Sequence, residues 1–235
     1  VRRVVFLRTL VGGLLASCAG GDAPTVCLAR GAIVDGTAAP PAALGAASGS
    51  VVALRVRHHE GGHVVDESCT GVRVDARHVV TAAHCFSADP ALTVALSSSA
   101  DCAPELGAAA VRVHPTRDVA LVTTAPSTDV ATSACAEAPE LDAPAIAAGY
   151  GLDERGAVGT LHFLDTSVVQ VDAEMIGARA AGPAGTCVGD SGGPLFVERA
   201  GAWCVAGTVS TGSADCRGLT RYEALAPLAA WLAAP

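Results

Sequence analysis

Three residues of this chain could turn an ordinary hydroxyl into a nucleophile: His84, Asp118 and Ser191. A serine hydroxyl attacks poorly at neutral pH unless an imidazole takes its proton, and a buried carboxylate fixes that imidazole in the useful tautomer. Each sits in a short string: Thr81-Ala82-Ala83-His84-Cys85, Asp118-Val119-Ala120-Leu121 and Gly189-Asp190-Ser191-Gly192-Gly193-Pro194. A different string, His59-Glu60-Gly61-Gly62-His63, has the spacing of a zinc site in which two imidazoles share a helix face and the glutamate acts on metal-bound water. That site needs a helix, and each central glycine costs a helix about 1 kcal/mol relative to alanine. The flanks, 51–57 and Val64-Val65, alternate as strands do. Gly61-Gly62 therefore reads as a hairpin turn, and His58, His59 and His63 as a solvated loop tip. No metal is expected.

The serine string also contains G-x-S-x-G, the turn that exposes a serine above a parallel sheet. In that arrangement the acid and the histidine follow the serine. No histidine follows Ser191, so the parallel-sheet reading fails. The elements that must hold the three residues are instead short β-branched stretches at 51–57, 71–74, 78–80, 92–96, 111–113 and 119–123. More follow at 161–163, 167–171, 194–197 and 203–210, punctuated by Gly, Pro, Ser and Asp. Many short strands with close turns imply an antiparallel sandwich or barrel. Only the tail, 222–234, reads as a helix, because Leu225, Leu228 and Leu232 recur at helical spacing. The Pro/Ala-rich stretch 136–144 is the expected link between two halves.

The chain has 235 residues, 15 basic and 23 acidic, for a net charge of −8. It contains no basic run, so nucleic acid is not an expected partner. Hydrophobic residues make up 51%, which excludes a disordered chain. Nine cysteines call for an oxidising compartment. Arg2, Arg3 and Arg8 lead into an apolar stretch, 9–17, too short to span a bilayer and suited to a signal sequence over 1–17. Leu15-Ala16-Ser17-Cys18 resembles the lipobox of bacterial lipoproteins, which would place a lipid on Cys18. An ordinary secretory signal cut at a neighbouring small residue is the alternative. The protein is thus expected outside the cytoplasm, either lipid-anchored at a periplasmic or cell surface or secreted. Residues 18–32 read as a tether or propeptide.

Taken together and in this order, the three strings resemble those of the trypsin/chymotrypsin-type serine proteases. Ile33-Val34-Asp35-Gly36 resembles their activated N-terminus, with Asp35 where a glycine is more usual. The resemblance implies an all-β protein: two packed six-stranded antiparallel β-barrels, about 33–135 and 136–235, with a C-terminal helix. It also implies a serine endopeptidase without a cofactor. Ser191 would be the nucleophile, His84 the base, Asp118 its orienter, and the N–H groups of Gly189 and Ser191 the oxyanion hole. Ser210 would stand near the aspartate. Gly185 would form the base of the specificity pocket, with Gly212 and Gly218 in its walls, and such a carboxylate-free pocket should prefer an uncharged P1 side chain. Thr211 replaces a commonly aromatic residue of the cleft. The segment from Cys216 to Gly218 is short, and Asp215 is a nearby acid.

The family is made as a zymogen, so the resemblance implies a cut at Ala32–Ile33 by an activating protease and a pair between the freed Ile33 ammonium and Asp190. Arg30 invites a tryptic cut, but one that leaves Gly31-Ala32 as an extension. Cys69 and Cys85 flank the histidine string and are expected to pair, as are Cys187 and Cys216, which bracket the serine. Cys27, Cys102, Cys135 and Cys204 allow three pairings. The family habit of tying the propeptide to the inter-barrel segment favours Cys27–Cys135, which leaves Cys102–Cys204. Asp89, Asp101 and Glu105 form no obvious calcium loop. The expected partners are a protein or peptide substrate, the activator, and a membrane only through Cys18. The rival readings are a binding protein locked in the inactive form and, more remotely, a zinc hydrolase using the HEGGH string.

Overall fold

The computed structural model describes residues 33–60, 63–86, 93–97, 106–151 and 159–234. The signal stretch, Cys18, the tether with Cys27 and Arg30, Gly61-Gly62, Cys102, and Asp89, Asp101 and Glu105 lie outside the described residues. Twelve strands are described. The first six are β1 (Val51–Glu60), β2 (His63–Arg73), β3 (His78–Thr81), β4 (Thr93–Ser97), β5 (Leu106–Val113) and β6 (Ala120–Thr124). They close an antiparallel barrel in the order β1-β2-β3-β6-β5-β4. The second six are β7 (Pro144–Gly149), β8 (His162–Val171), β9 (Met175–Arg179), β10 (Pro194–Arg199), β11 (Ala202–Thr211) and β12 (Leu219–Ala224). They close a second barrel in the order β10-β11-β12-β9-β8-β7.

β1 is apolar at every position from Val51 to Leu54 and alternates with arginine beyond. Successive side chains of a strand point to opposite faces. Val52, Leu54 and Val56 fill the interior of the first barrel with Val79, Leu96 and Val122. Val51 and Ala53 point the other way, into a cluster shared with Ile146, Phe163, Phe196, Val205 and Leu225 of the second barrel. The half of the strand that is buried on both faces, Val51–Leu54, therefore shows no polar alternation. The second barrel has its own interior around Val168, Ile176, Leu195, Val209 and Tyr222. Each barrel thus has its own apolar interior and a third, shared cluster joins them, and the strand ends that meet at their junction carry the functional strings.

Several expectations need correction. Glu60 pairs with His63, which leaves a two-residue connection, as expected of the glycine pair. His59 and Glu60 lie on β1 and His63 on β2, so the HEGGH string has no helix face to offer zinc. His58 is not part of a solvated tip: it shares the inward face of Val52, Leu54 and Val56 and is buried. Tyr222–Ala224 belongs to β12 rather than to the terminal helix, since Tyr222 pairs with both Ile176 and Val209. Pro227 then starts a 3₁₀ turn, Ala226–Leu228, followed by the helix α1, Ala229–Ala233. The leucine pattern has the expected effect, with Leu225 and Leu228 buried in the inter-barrel cluster and Leu232 packed against it.

Cys135 pairs with Cys204, their Cα atoms 5.0 Å apart, which excludes both Cys27–Cys135 and Cys102–Cys204. The cause is local. The linker runs beside β11, where Cys135 N–H donates to Val205 O at 2.9 Å and Val205 N–H to Ser133 O at 3.0 Å. Cys69–Cys85 and Cys187–Cys216 form as expected.

Candidate active site

The three strings meet at the junction of the barrels. His84 stands on a 3₁₀ turn, Ala83–Phe86, just after β3, and the neighbouring Cys85 is tied to β2 through Cys69. Asp118 lies in the turn between β5 and β6, and Ser191 in the turn before β10. His84 Nε2 is 2.8 Å from Ser191 Oγ, and His84 Nδ1 is 2.8 Å from Asp118 Oδ2. Backbone N–H of His84 also donates to Asp118 Oδ1 at 2.9 Å. An ionised carboxylate can only accept, so Nδ1 carries the proton and Nε2 of the neutral ring is left to accept from the serine hydroxyl.

Ser210 Oγ donates to Asp118 Oδ2 at 2.6 Å, so one residue from the second barrel braces the carboxylate. Burial opposes ionisation of Asp118, but the bonds from His84 and Ser210 outweigh it and hold the group below the usual carboxylate range. The bond to Asp118 raises His84 above its ordinary value, against burial; the charges of Asp118 and Glu67 add to the rise. This arrangement can move a proton from a hydroxyl to an imidazole whose cation is then stabilised.

The serine turn is held by backbone bonds on both sides. Gly193 N–H donates to Asp190 O at 2.8 Å, and Gly192 N–H to Val209 O at 2.8 Å. Gly189 has φ +94°, a region that a residue with a Cβ enters only with strain. Asp190 is fully buried, and its carboxylate accepts from Gly151 N–H at 2.8 Å and Cys187 N–H at 2.7 Å. Burial nevertheless pushes it up to about 7 against those two bonds. Ile33 is likewise fully buried. Val34 next to it exchanges two hydrogen bonds with Gly185, at 3.1 and 3.3 Å. Asp35, the departure from the usual glycine, lies 3.4 Å from Arg217 Nη1.

Beside Ser191 opens a cavity of about 240 Å³, lined among others by Thr186, Val188, Ser210, Gly212 and Cys216, with no ionisable acid or base among the described residues of its wall. Ser210 and Gly212 line this cavity. Gly185 and Gly218 are not in the wall. Gly185 is spent on Val34, and a Cβ there would sit 2.8 Å from Cys216 O. Gly218 turns the chain behind the wall, its N–H donating to Ala184 O at 3.2 Å. Thr186 takes the inner position, its hydroxyl 2.8 Å from that of Thr220. Thr220 escaped the sequence reading because nothing local distinguishes it from any other strand threonine; its partner Thr186 lies 34 residues away. Thr70, which bonds to the serine turn, was also missed, since nothing in the mixed sequence of β2 singles it out.

Comparison with known proteins places the fold in a family. The trypsin family model matches residues 36–232. The solved structure of a protein titled HL collagenase superposes with a TM-score of 0.68 at 16% identity, covering 85% of this chain and 96% of that one. The chain belongs to the trypsin family of serine peptidases.

Proposed function

We propose that the chain is a serine endopeptidase acting through an acyl-enzyme on Ser191. The observation that carries this is the continuous set of bonds from Ser191 Oγ through the His84 ring to Asp118. As Oγ bonds to the scissile carbonyl carbon, its proton passes to His84 Nε2 and the carbonyl oxygen becomes an oxyanion facing the N–H groups of Gly189 and Ser191. His84 returns the proton to the leaving amine, and the same ring then activates the water that frees the acid. An uncharged cavity wall supports a preference for small or apolar P1 side chains, since a buried cation without a partner is costly.

The protein is made as a zymogen in this reading. A buried carboxyl that titrates near 7 gains much from a cation delivered beside it, and a freed Ile33 ammonium is such a cation. The three described disulfides support export into an oxidising compartment, with Cys18 as a lipid anchor or, failing that, a secreted product. Because Cys135 is engaged by Cys204, the released stub is not held through Cys135. Profiling a peptide library with the cut protein and its Ser191→Ala variant tests the reading. Serine-dependent cleavage after small or apolar residues is expected. Strict cleavage after Arg removes the pocket assignment, and no cleavage by either protein favours a binding role.

A further inference from the structure

Thr70 on β2 is fully buried and makes four hydrogen bonds, three of them to the opposite barrel. Its N–H donates to Ser191 O at 2.8 Å. Its hydroxyl donates to Gly189 O at 2.9 Å and accepts from Tyr150 N–H at 2.9 Å. Its own carbonyl accepts from the Thr81 hydroxyl at 2.7 Å. A hydroxyl has one proton. Since the Tyr150 N–H can only donate to it, that proton goes to Gly189 O, and the Thr70 rotor has one setting.

The two carbonyls gripped by Thr70 belong to the residues whose N–H groups face the developing oxyanion. Gly189 has no side chain to resist rotation about its backbone, and in its present conformation a glycine peptide turns at little cost. The plane that follows Gly189 is held at its amide end by Asp190 N–H donating to Cys187 O at 3.1 Å, and the bond from a different barrel at its carbonyl end completes the grip, setting the direction of the turn leading to Ser191. We propose that Thr70 is a positioning residue of the oxyanion hole, its hydroxyl holding the Gly189 turn so that both donors converge on one point. The inference rests on the reading of Ser191 as the nucleophile. It assigns to the Thr70 side chain an effect on the transition state rather than on substrate binding, because donors aimed at an oxyanion act where charge develops.

The test compares Thr70→Val, which keeps the shape and removes the hydroxyl, with Thr70→Ser, which keeps the hydroxyl. Active sites are first titrated with a fluorophosphonate, so that rates refer to competent molecules. Two inhibitors of the same peptide sequence are then measured: an aldehyde, whose hemiacetal oxygen occupies the oxyanion position, and the free-acid product peptide, which makes ground-state contacts. Thr70→Val is expected to lower kcat about tenfold, less than the 10²–10³ for losing a donor outright, with KM changed less than about twofold. Aldehyde affinity should fall by a factor similar to that in kcat, product affinity should hold, and Thr70→Ser should recover both. Should Thr70→Val not fold, Thr70→Cys, a much weaker donor of similar size, should show the same split. The inference is overturned if kcat and aldehyde affinity per titrated site stay within about twofold of wild type, or if aldehyde and product lose affinity equally. Wild-type protein that neither labels nor cleaves removes the underlying reading instead, and the role of Thr70 with it.

Discussion

Arg117 Nε donates to Glu223 Oε2 at 2.7 Å, joining the turn that carries Asp118 in the first barrel to β12 of the second. Both side chains are 9% exposed, and Arg117 also bonds to Glu174 O in the turn between β8 and β9. The ion pair therefore sits one residue from the carboxylate that orients His84 and spans the same junction.

Breaking such a pair strands a buried charge. Arg117→Met is expected to destabilise the fold by about 3–5 kcal/mol, whereas replacing both residues with methionine should recover most of the loss. Urea unfolding of the single and double variants measures it. A harmless single variant would show that the pair is solvated and contributes little.

The acid limb of activity follows from His84. Its bond to Asp118 raises it, against burial, so the protonated ring persists to a pH above the ordinary 6.5. As pH falls through the raised value, Nε2 gains a proton and can no longer accept one from Ser191. The acid limb of kcat/KM is thus expected above pH 6.5. Asp118→Asn should move it down and lower kcat by about 10⁴. Full pH–rate profiles of both proteins decide this, and an acid limb unmoved by the substitution would separate it from the His84–Asp118 bond.

Asp190 gives the uncut chain a stability trend of the opposite kind to most carboxylates. Its folded value near 7 lies above the ordinary 3.8, so the folded state holds a proton that the unfolded chain has lost. Stability from this group is present at low pH and declines as pH rises from about 4 to 7, by an amount on the order of 4 kcal/mol. Pairing with a freed Ile33 ammonium should remove the decline. Melting temperatures of the Ser191→Ala protein across that range, before and after cutting at Ala32–Ile33, provide the comparison. Parallel curves for the two forms would mean that the ammonium never reaches Asp190.

Selectivity should respond to the inner wall of the cavity. Thr220→Gly removes the hydroxyl and methyl behind Thr186 and is expected to favour larger apolar P1 residues. Gly212→Val does the reverse, since even a Cβ there lies 3.3 Å from Thr186 Oγ1. A change of one methylene in a pocket is worth about 1–3 kcal/mol, so ratios of kcat/KM between Ala and Phe at P1 should move by tenfold or more. Unchanged ratios would place the P1 side chain elsewhere.

How much of this was readable from residues alone depended on how specific each chemical signal was. His84 and Ser191 could be found because each lies in a string of small residues at a tight turn, and Asp118 because it directly precedes the apolar run that enters β6. β-branched stretches marked most strands for the same local reason. β7, Pro-Ala-Ile-Ala-Ala-Gly, carries little strand propensity and is a strand because β8 and β10 pair with it on either side. β9 is likewise set by its neighbours β8 and β12. The Cys135–Cys204 bond and the burial of His58 depend on which segments lie side by side, and spacing along the chain does not encode that. Thr70 and Thr220 act through bonds to residues far away in sequence, where no local pattern marks them.

The most direct measurement is covalent labelling. Cut protein beginning at Ile33 is treated with a fluorophosphonate and digested, and the modified peptide is sequenced by mass spectrometry. One adduct per molecule, on Ser191 and lost in His84→Ala, is the expected result. A folded, correctly cut protein that carries no adduct, or carries it on another residue, would contradict the assignment of Ser191 as an activated nucleophile.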